Sequence, residues 1–279
     1  MAGEQLRRIA VGDRIVLEEK SGGGVWVEEV MPRATWLARS SVDKKSKEQV
    51  VVANVDQVAM VSSIHIPPFR PGLLDRMLIA AHTGRLSPII LINKSDLKSE
   101  LDDWYETSEI LDIYKSLGYP VICTSVVSGE GIEELRALLT GKTTVFAGHS
   151  GVGKSSLVSM VDPTIQLKTG DVSQKTCWGQ HTTTTVTLLP LAFGGFVVDT
   201  PGIREFSLWQ LDYDNVAQYF PEIAKYALTC KYKNCKHVQE PDCAVQQAVA
   251  ADKIAQFRYQ SYCRILESGE REIEQAPVE

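Results

Sequence analysis

The sequence predicts an α/β fold: a mostly parallel sheet covered by helices, with a small β-module before it and a helical segment after it. The main observation is that short apolar runs alternate with helical patterns from about residue 55 to residue 212, as in βαβ units. The candidate strands are VDQVAMVSS, SPIILIN, PVICTS, TTVFAG and GFVVDT. Earlier in the chain, RIVLEE and VWVEEVM flank the turn SGGG, and after residue 212 strand signals vanish.

Length and composition permit this fold together with flanking modules. The chain has 279 residues, 44% of them hydrophobic, which is enough for one α/β core with about 100 to 150 residues besides. The first residues contain no apolar stretch typical of a signal peptide, and no run approaches the roughly 18 apolar residues of a membrane span. We therefore expect a cytoplasmic protein with no membrane partner.

Charge gives two opposing indications about nucleic-acid binding. The net charge of −6 argues against it, because phosphate binding normally accompanies a basic excess. Two local clusters are basic nonetheless, and either could be a solvated surface or a phosphate-binding one. Their members are Arg33, Arg39, Lys44, Lys45 and Lys47, and then Lys225, Lys231, Lys233 and Lys236.

A phosphate-binding loop is predicted after the strand TTVFA. GHSGVGKS matches GxxxxGK[ST] between a strand and the helix-like SSLVSMV, which is the context the motif requires. Its glycines allow backbone N–H groups to surround a phosphate at a helix N-terminus. Lys154 is expected to reach the β- and γ-phosphates as a catalytic residue, and Ser155 to bind Mg²⁺. The predicted phosphate contacts are Gly148, His149, Ser150, Gly151, Val152, Gly153, Lys154, Ser155 and Ser156.

A second phosphate-side motif, DTPG, ends the apolar strand GFVVDT. Asp199 is expected to face Mg²⁺ through a water, and the N–H of Gly202 to sense the γ-phosphate. DxxG alone is a weak signal. Its position downstream of a phosphate loop, at the end of a buried strand, makes it a strong one.

The NKSD motif predicts a guanine site at the carboxyl edge of the sheet, because it ends the strand SPIILIN. Asp96 can accept hydrogen bonds from N1–H and from the exocyclic amine of guanine, and adenine offers neither. The Lys94 stem can pack along the base, and Asn93 can tie this loop to the phosphate loop. After the next strand, TSV resembles the second base-reading loop of GTPases, with the Val126 N–H aimed at guanine O6. The predicted base-site residues are Asn93, Lys94, Ser95, Asp96, Ser125 and Val126.

The order of these motifs predicts a circularly permuted GTPase domain. In ordinary GTPases the phosphate loop comes first and NKxD fourth, whereas here NKSD and TSV precede GHSGVGKS. Permutation is physically acceptable because domain termini usually lie close together on the surface. In this order the chain resembles the small-subunit-dependent GTPase A family, RsgA. The residues that carry the resemblance are VGDRI, RATWLAR, ANVDQV, LLDRMLIAA, NKSDL, GHSGVGKSSL, GQHTTTTV, VVDTPGIREF and the final cysteine cluster.

The resemblance implies three domains and an enzymatic function. Residues 1–58 would form an OB-fold β-barrel that contacts rRNA, 59–212 the permuted GTPase domain, and 213–279 a helical zinc domain. Only ten residues precede Val11, so we expect the barrel to be incomplete. The implied protein is a monomer that hydrolyses GTP to GDP and phosphate, is stimulated by the small (30S) ribosomal subunit and acts in its late assembly. The alternative is an rRNA-binding module that holds GTP as a structural ligand without ribosome-stimulated turnover.

The motifs leave open which residue orients the attacking water. Ras-like GTPases use a glutamine after the DxxG glycine, and here that position is Ile203, which cannot hydrogen-bond water. We therefore expect slow intrinsic turnover. The resemblance implies that His181 takes this role when the ribosome orders its loop; otherwise His181 is merely exposed. Thr182 or Thr183 is expected to reach Mg²⁺ in the GTP state.

Three cysteines and a histidine predict a metal site near the end of the chain, and they are Cys230, Cys235, His237 and Cys243. Three thiolates and one imidazole are the ligand set of a closed, tetrahedral structural zinc site. In a reducing cytosol these cysteines are poor disulfide candidates. The spacing is unusual for a zinc finger but resembles the family's cluster; the alternative is buried thiols beside a surface histidine.

Overall fold

The computed structural model describes residues 9–20, 24–40, 48–100, 104–165, 186–199, 211 and 213–274, with the backbone alone at 20, 39, 40, 48, 49, 199 and 270–274. Its strands are β1 (Ile15–Lys20), β2 (Gly24–Val30), β3 (Trp36–Ser40), β4 (Glu48–Ala53), β5 (Gln57–Ser63), β6 (Ser87–Asn93), β7 (Val121–Thr124), β8 (Thr143–Ala147), β9 (Thr187–Pro190) and β10 (Phe196–Asp199). Its α-helices are α1 (Pro71–Thr83), α2 (Trp104–Ser116), α3 (Ile132–Leu139), α4 (Lys154–Val161), α5 (Pro221–Ala227), α6 (Ala244–Ala250) and α7 (Gln256–Glu274).

A six-stranded sheet in the order β7-β6-β5-β8-β10-β9 forms the centre of the molecule. All neighbours are parallel except β9, which runs antiparallel to β10. The five parallel strands are those that the sequence predicts, so the α/β prediction is confirmed. The sequence analysis missed β9, which is short and ends in Pro190. Proline is tolerated there because β9 lies at the sheet edge, where a missing N–H costs no ladder bond.

Both faces of the sheet are buried, which explains why its strands are continuous apolar runs. In β5, Val58 and Met60 point into one core with α1 and α2, while Ala59 and Val61 point into a second core with α3 and α4. This alternation follows from the two-residue period of a strand. The phosphate-loop helix α4 and the crossover helix α3 therefore share one side of the sheet.

The strand order reverses between β5 and β8. The chain moves outward from β5 to β6 and β7, then returns to place β8 on the other side of β5. In open parallel sheets, ligands bind beyond the carboxyl ends of the strands at such a reversal. The loops after β5, β6 and β8 meet at this point.

The described amino-terminal residues form two antiparallel strand pairs, β1 with β2 and β3 with β4. A parallel bridge from Val11 to Val52 joins the segment before β1 to β4. The sequence analysis did not predict β3; its Leu37 is buried with Val52 in the core that also contains residues of α1. The predicted end of this module at residue 58 falls inside β5.

The carboxyl-terminal residues are helical, as the sequence predicts, and they pack directly on α1. A 3₁₀ helix (Tyr213–Tyr219) and helices α5 to α7 surround a core that also contains Ile79 of α1. Among the described residues, no helix is both long and apolar enough to cross a membrane.

A buried ion cluster joins α7 to the rest of the molecule. Arg258, whose side chain is 1% exposed, donates to Asp75 of α1 and at 2.6 Å to Glu222 of α5. Its guanidinium lies over the rings of Phe220 and Tyr114, 4.5 and 5.3 Å from their centroids. Burial and the Asp75 carboxylate raise the pKa of Tyr114, so its hydroxyl stays protonated and donates to Asp75 at 2.6 Å. The cluster spans the three helices α1, α5 and α7.

Candidate functional site

The phosphate loop lies between β8 and α4, as predicted, and two of its glycines are required by close contacts, one with backbone and one with a buried side chain. Gly148 has φ 146°, and a Cβ at this position would lie 2.1 Å from the carbonyl oxygen of Val61. Gly153 has φ 93°, and a Cβ there would lie 2.3 Å from the amide nitrogen of Asn93. A side chain at either glycine would force the loop away from β5 or from the NKSD loop.

Lys154 opens α4 and folds back over the phosphate loop. Its Nζ donates to the carbonyls of Gly148 (2.8 Å) and His149 (2.9 Å). Ser155 and Ser156 follow in the first turn of α4, with Ser156 exposed. The ammonium group therefore lies at the loop whose N–H groups the motif assigns to phosphate, in a position suited to an anion.

Asn93 joins three loops of the site. It is the last residue of β6 and is 2% exposed. Its amide donates to the carbonyl of Val152 in the phosphate loop (2.8 Å), and its side-chain oxygen accepts from Thr124 at the end of β7 (3.2 Å). The structure thus contains the predicted tie between the NKSD loop and the phosphate loop.

Asp96 is held by the TSV loop. Its Oδ1 accepts a 2.5 Å hydrogen bond from Ser125 Oγ, which itself accepts from the backbone N–H groups of Val127 (3.1 Å) and Ser128 (3.0 Å). Val126 lies in the same turn and is partly buried. Because Ser125 has one hydroxyl proton and donates it to Asp96, the carboxylate has a fixed orientation at the exposed rim of the site.

The loop after β5 also belongs to the site, although the sequence did not predict it. Lys94, which has φ 64°, donates from Nζ to the carbonyl of Ile66, and Ser63 Oγ donates to the same carbonyl at 3.1 Å. A Cβ on Gly151 would lie 3.8 Å from Pro67 of that loop. No motif marks this loop. The available signal was that β5 is the central strand, whose carboxyl end must border a site at the strand-order reversal.

Part of the predicted phosphate side lies outside the described residues. His181, Thr182, Thr183 and Gly202 fall in that part of the chain, as does the side chain of Asp199. The backbone of Asp199 ends β10, which neighbours β8 in the sheet. The structure therefore brings together the predicted residues of 93–96, 125–126 and 148–156.

One residue of the first predicted basic cluster, Arg33, forms an ion pair within the fold. Arg33 forms a two-point ion pair with Asp13, at 2.7 and 2.8 Å, and the Asp13 side chain is fully buried. Burial alone would raise the pKa of Asp13, but the hydrogen bond from Arg33 lowers it below its usual value. Arg33 thus helps to hold the amino-terminal module together, a role that neither alternative for this cluster included.

The four predicted metal ligands converge. The Sγ atoms of Cys230, Cys235 and Cys243 and a ring nitrogen of His237 all lie within 4.8 Å of one another. Cys243 and His237 are buried, at 3% and 4% exposed. Around them, Tyr259 donates to the carbonyl of His237 at 2.7 Å, which fixes the loop that carries the imidazole. The cluster could hold a cation with four protein ligands.

The acid–base properties of the four side chains show what a bound cation would have to supply. Burial and the neighbouring Cys243 thiol raise the pKa of Cys235 to about 12, because several thiolates at this spacing repel one another. Burial lowers the pKa of His237, so its imidazole is neutral and can ligate. A cation between the sulfurs would supply the charge that the thiolates need.

Comparison with known proteins agrees with the permuted motif order. The RsgA GTPase family model matches residues 30–209. Curated relatives are the small ribosomal subunit biogenesis GTPase RsgA of Bacteroides fragilis, 36% identical over 94% of this chain and 84% of that protein, and of Shewanella oneidensis, 41% identical over 93% and 74%.

Solved structures extend the similarity to the fold. The crystal structure of YjeQ from Thermotoga maritima covers 94% of this chain and 84% of its own, with a TM-score of 0.76 and 36% identity. YloQ, described as a circularly permuted GTPase, covers 99% and 85%, with a TM-score of 0.72 and 28% identity. The permuted motif order, the geometry of the site and these matches establish that the chain belongs to the RsgA GTPase family.

Proposed function

We propose that this chain binds GTP and GDP at the carboxyl edge of its sheet and hydrolyses GTP in the service of small-subunit assembly. The observation that carries the proposal is the position of the Asn93 side chain, which contacts both Val152 and Thr124. Asn93 thereby joins motifs that occur in permuted order along the chain. Together they form one site with a phosphate end and a base end. A nucleotide that spans both ends is the ligand this arrangement fits.

The phosphate end has the parts needed for phosphoryl transfer. The Lys154 ammonium would stabilise charge on the transferring group, and backbone N–H groups of the loop would hold the β-phosphate. Mg²⁺ would be held by Ser155 and Asp199, with Thr182 or Thr183 added in the GTP state, and would neutralise charge on the β- and γ-phosphates. We assign sensing of the γ-phosphate to Gly202 and orientation of water to His181.

The base end reads guanine through Asp96. We expect Asp96→Asn to weaken GTP binding by about 1 to 3 kcal/mol, the scale for hydrogen bonds to a charged group, and to favour xanthosine triphosphate relative to GTP. An asparagine amide can donate to the xanthine 2-oxo group, which a carboxylate cannot do. Competition titration measures the preference. Asp112→Asn on the exposed face of α2 is the matched control, and an unchanged preference in Asp96→Asn would remove Asp96 from the site.

The proposed partner is the small ribosomal subunit and its rRNA. The curated relatives carry small-subunit biogenesis in their names, and they share 36% to 41% identity with this chain over more than nine-tenths of its length. We propose that the chain acts as a cytoplasmic monomer. An increase in GTP turnover on addition of the small subunit would support this partner.

We propose that the cysteine cluster holds one structural Zn²⁺. A tetrahedral zinc with Zn–S of about 2.3 Å and Zn–N of about 2.0 to 2.1 Å separates two sulfurs by about 3.8 Å and sulfur from nitrogen by about 3.6 Å. Two of the three Sγ–Sγ distances are 3.8 and 3.7 Å, the distances from Cys230 and Cys243 Sγ to His237 Nδ1 are 3.4 and 3.5 Å, and all four ligand atoms lie within 4.8 Å of one another. Four protein ligands leave no open position, so the metal would have a structural role.

Protein purified without added metal is expected to contain about one equivalent of zinc per chain. Cys235→Ser should release it and loosen residues 225 to 245, because metal binding and folding of such sites are coupled. GTP affinity should stay within a few-fold, since the cluster lies in the carboxyl-terminal helical region. Elemental analysis gives the metal content. Cys263→Ser, in the same helical core but outside the cluster, is the control, and native protein without zinc would refute the assignment.

A further inference from the structure

We propose that Glu130 is a positioning residue for the base site: it clamps the NKSD loop to the TSV loop and so sets guanine affinity and selectivity. This inference rests on the proposed nucleotide site. Glu130 belongs to no motif identified in the sequence. It lies after the TSV turn, two residues before α3 begins at Ile132.

The side chain of Glu130 reaches across to the loop that carries Asp96. Its Oε2 accepts a 2.5 Å hydrogen bond from Ser95 Oγ, and its Oε1 accepts a 2.8 Å bond from Lys98 Nζ. Ser95 and Lys98 lie with Asp96 in the same 3₁₀ helix. The carboxylate thus holds that helix at two points on either side of the base-reading residue.

The main chain of Glu130 holds the other loop. Its carbonyl accepts from the N–H of Ser125 at 3.1 Å, and the carbonyl of Ser125 accepts from the N–H of Gly129 at 2.9 Å. These bonds close the turn that orients Ser125, the residue that fixes Asp96. One residue therefore ties both loops, and its side-chain bonds add to the direct contact between Ser125 and Asp96.

Glu130 is itself fixed in place. The following residue, Gly131, has φ 71°, and a Cβ there would lie 2.1 Å from the carbonyl oxygen of Cys123 at the end of β7. Helix α3 begins at the next residue, Ile132, which is buried against the sheet. The clamp is thus anchored to a strand and a helix, and not to a free loop.

The solvent exposure of the Lys98–Glu130 ion pair indicates that it affects the position of the base-site loops more than the free energy of unfolding. The side chains of Lys98 and Glu130 are 31% and 45% exposed, and ion pairs in that setting contribute little to folding free energy. Ser95, in contrast, is 2% exposed, so the position of its hydroxyl depends on the carboxylate. The hydrogen bonds from Lys98 and Ser95 lower the pKa of Glu130, so the carboxylate is ionised at neutral pH and accepts from both.

Glu130→Gln tests the clamp with little change of shape. A glutamine side chain can still meet both partners, with its oxygen accepting from Lys98 and its NH₂ group donating to the Ser95 hydroxyl, but it carries no charge, so the ion pair with Lys98 is lost and both hydrogen bonds are weakened. We expect GDP affinity to fall by about 3- to 10-fold, the scale of one net hydrogen bond. Affinity for IDP, which lacks the exocyclic amine that Asp96 reads, should fall less, so GDP-over-IDP discrimination should shrink.

Competition titrations with GDP and IDP, together with thermal unfolding, give the readouts on the full chain. Glu133→Gln is the matched control, because Glu133 lies one residue into α3, its side chain is 81% exposed, and its partner is Arg136 on the surface. Asp96→Asn is measured in parallel to test the site itself. The proposal predicts a change in discrimination for Glu130→Gln and none for Glu133→Gln.

Three outcomes would overturn the inference, and they are distinguishable. If Asp96→Asn shifts preference toward xanthine while Glu130→Gln behaves as Glu133→Gln, the site stands and the clamp does not. If Glu130→Gln lowers GDP and IDP affinity by the same factor along with the melting temperature, Glu130 has only a structural role. If Asp96→Asn leaves guanine preference unchanged, the base site fails and the clamp with it.

Discussion

Replacing Lys154 with alanine is expected to lower GTP turnover by about 10²- to 10³-fold while the protein remains folded, on the scale of losing one group that stabilises transition-state charge. The described bonds of its Nζ run to the loop carbonyls of Gly148 and His149. When nucleotide is bound, its phosphate oxygens would compete with these carbonyls for the Lys154 ammonium. The charge of Lys154 would therefore stabilise the bound phosphates. The measurement is single-turnover phosphate release with the protein in excess over GTP and with saturating Mg²⁺, and circular dichroism checks the folding.

Lys142→Ala provides the matched control for this experiment. Lys142 is an exposed lysine immediately before β8, whereas the phosphate loop follows the same strand at its other end. Its removal should leave turnover unchanged. Wild-type turnover in Lys154→Ala, or loss of soluble protein in place of loss of turnover, would contradict the role assigned to Lys154.

Arg258→Ala is expected to lower the free energy of unfolding by about 3 to 5 kcal/mol, the range for removing one partner of a buried ion pair. The change leaves the carboxylates of Asp75 and Glu222 buried without their cation, at 0% and 10% exposed. It also removes the guanidinium from the faces of Phe220 and Tyr114. Urea unfolding followed by tryptophan fluorescence measures the effect.

Arg264→Ala, at an exposed position of the same helix, should change stability by less than about 0.5 kcal/mol, as is usual for surface substitutions. Comparing Arg258→Ala with Arg264→Ala separates the contribution of the ion cluster to stability from any general effect of shortening a side chain on α7. Equal, small effects of the two changes would show that the cluster contributes little to holding α7 against α1.

The parallel strands and the ligand loops were predictable because each signal is local. Apolar runs such as SPIILIN end directly in polar motifs, and the sheet then brings those ends to one edge. Strand β3 was not predictable in this way. Its pairing with β4 and the burial of Leu37 beside α1 depend on partners far along the chain.

The same difference between local signals and contacts far along the chain explains which part of the site was predicted and which was not. The roles of Asn93 and Asp96 follow from a motif, whereas the Lys94 bond to Ile66, the Ser95 bond to Glu130 and the Arg258 bond to Asp75 join residues 28, 35 and 183 positions apart. No spacing or period in the sequence indicates such pairs. Arg33 is a related case, because a basic cluster along the chain contained a residue that the fold uses for an ion pair with the buried Asp13.

The central claim is that GTP hydrolysis by this chain is coupled to the small ribosomal subunit. The measurement is multiple-turnover GTP hydrolysis with and without purified 30S subunits at one stated salt concentration, because phosphate contacts depend on salt. We expect slow basal turnover because Ile203 stands at the usual glutamine position, and the account predicts a rise of at least about 10²-fold when the subunit is added, within the range of GTPases completed in trans. Turnover that is unchanged by the subunit, with GTP still bound tightly, would contradict the account and support an rRNA-binding module with GTP as a structural ligand.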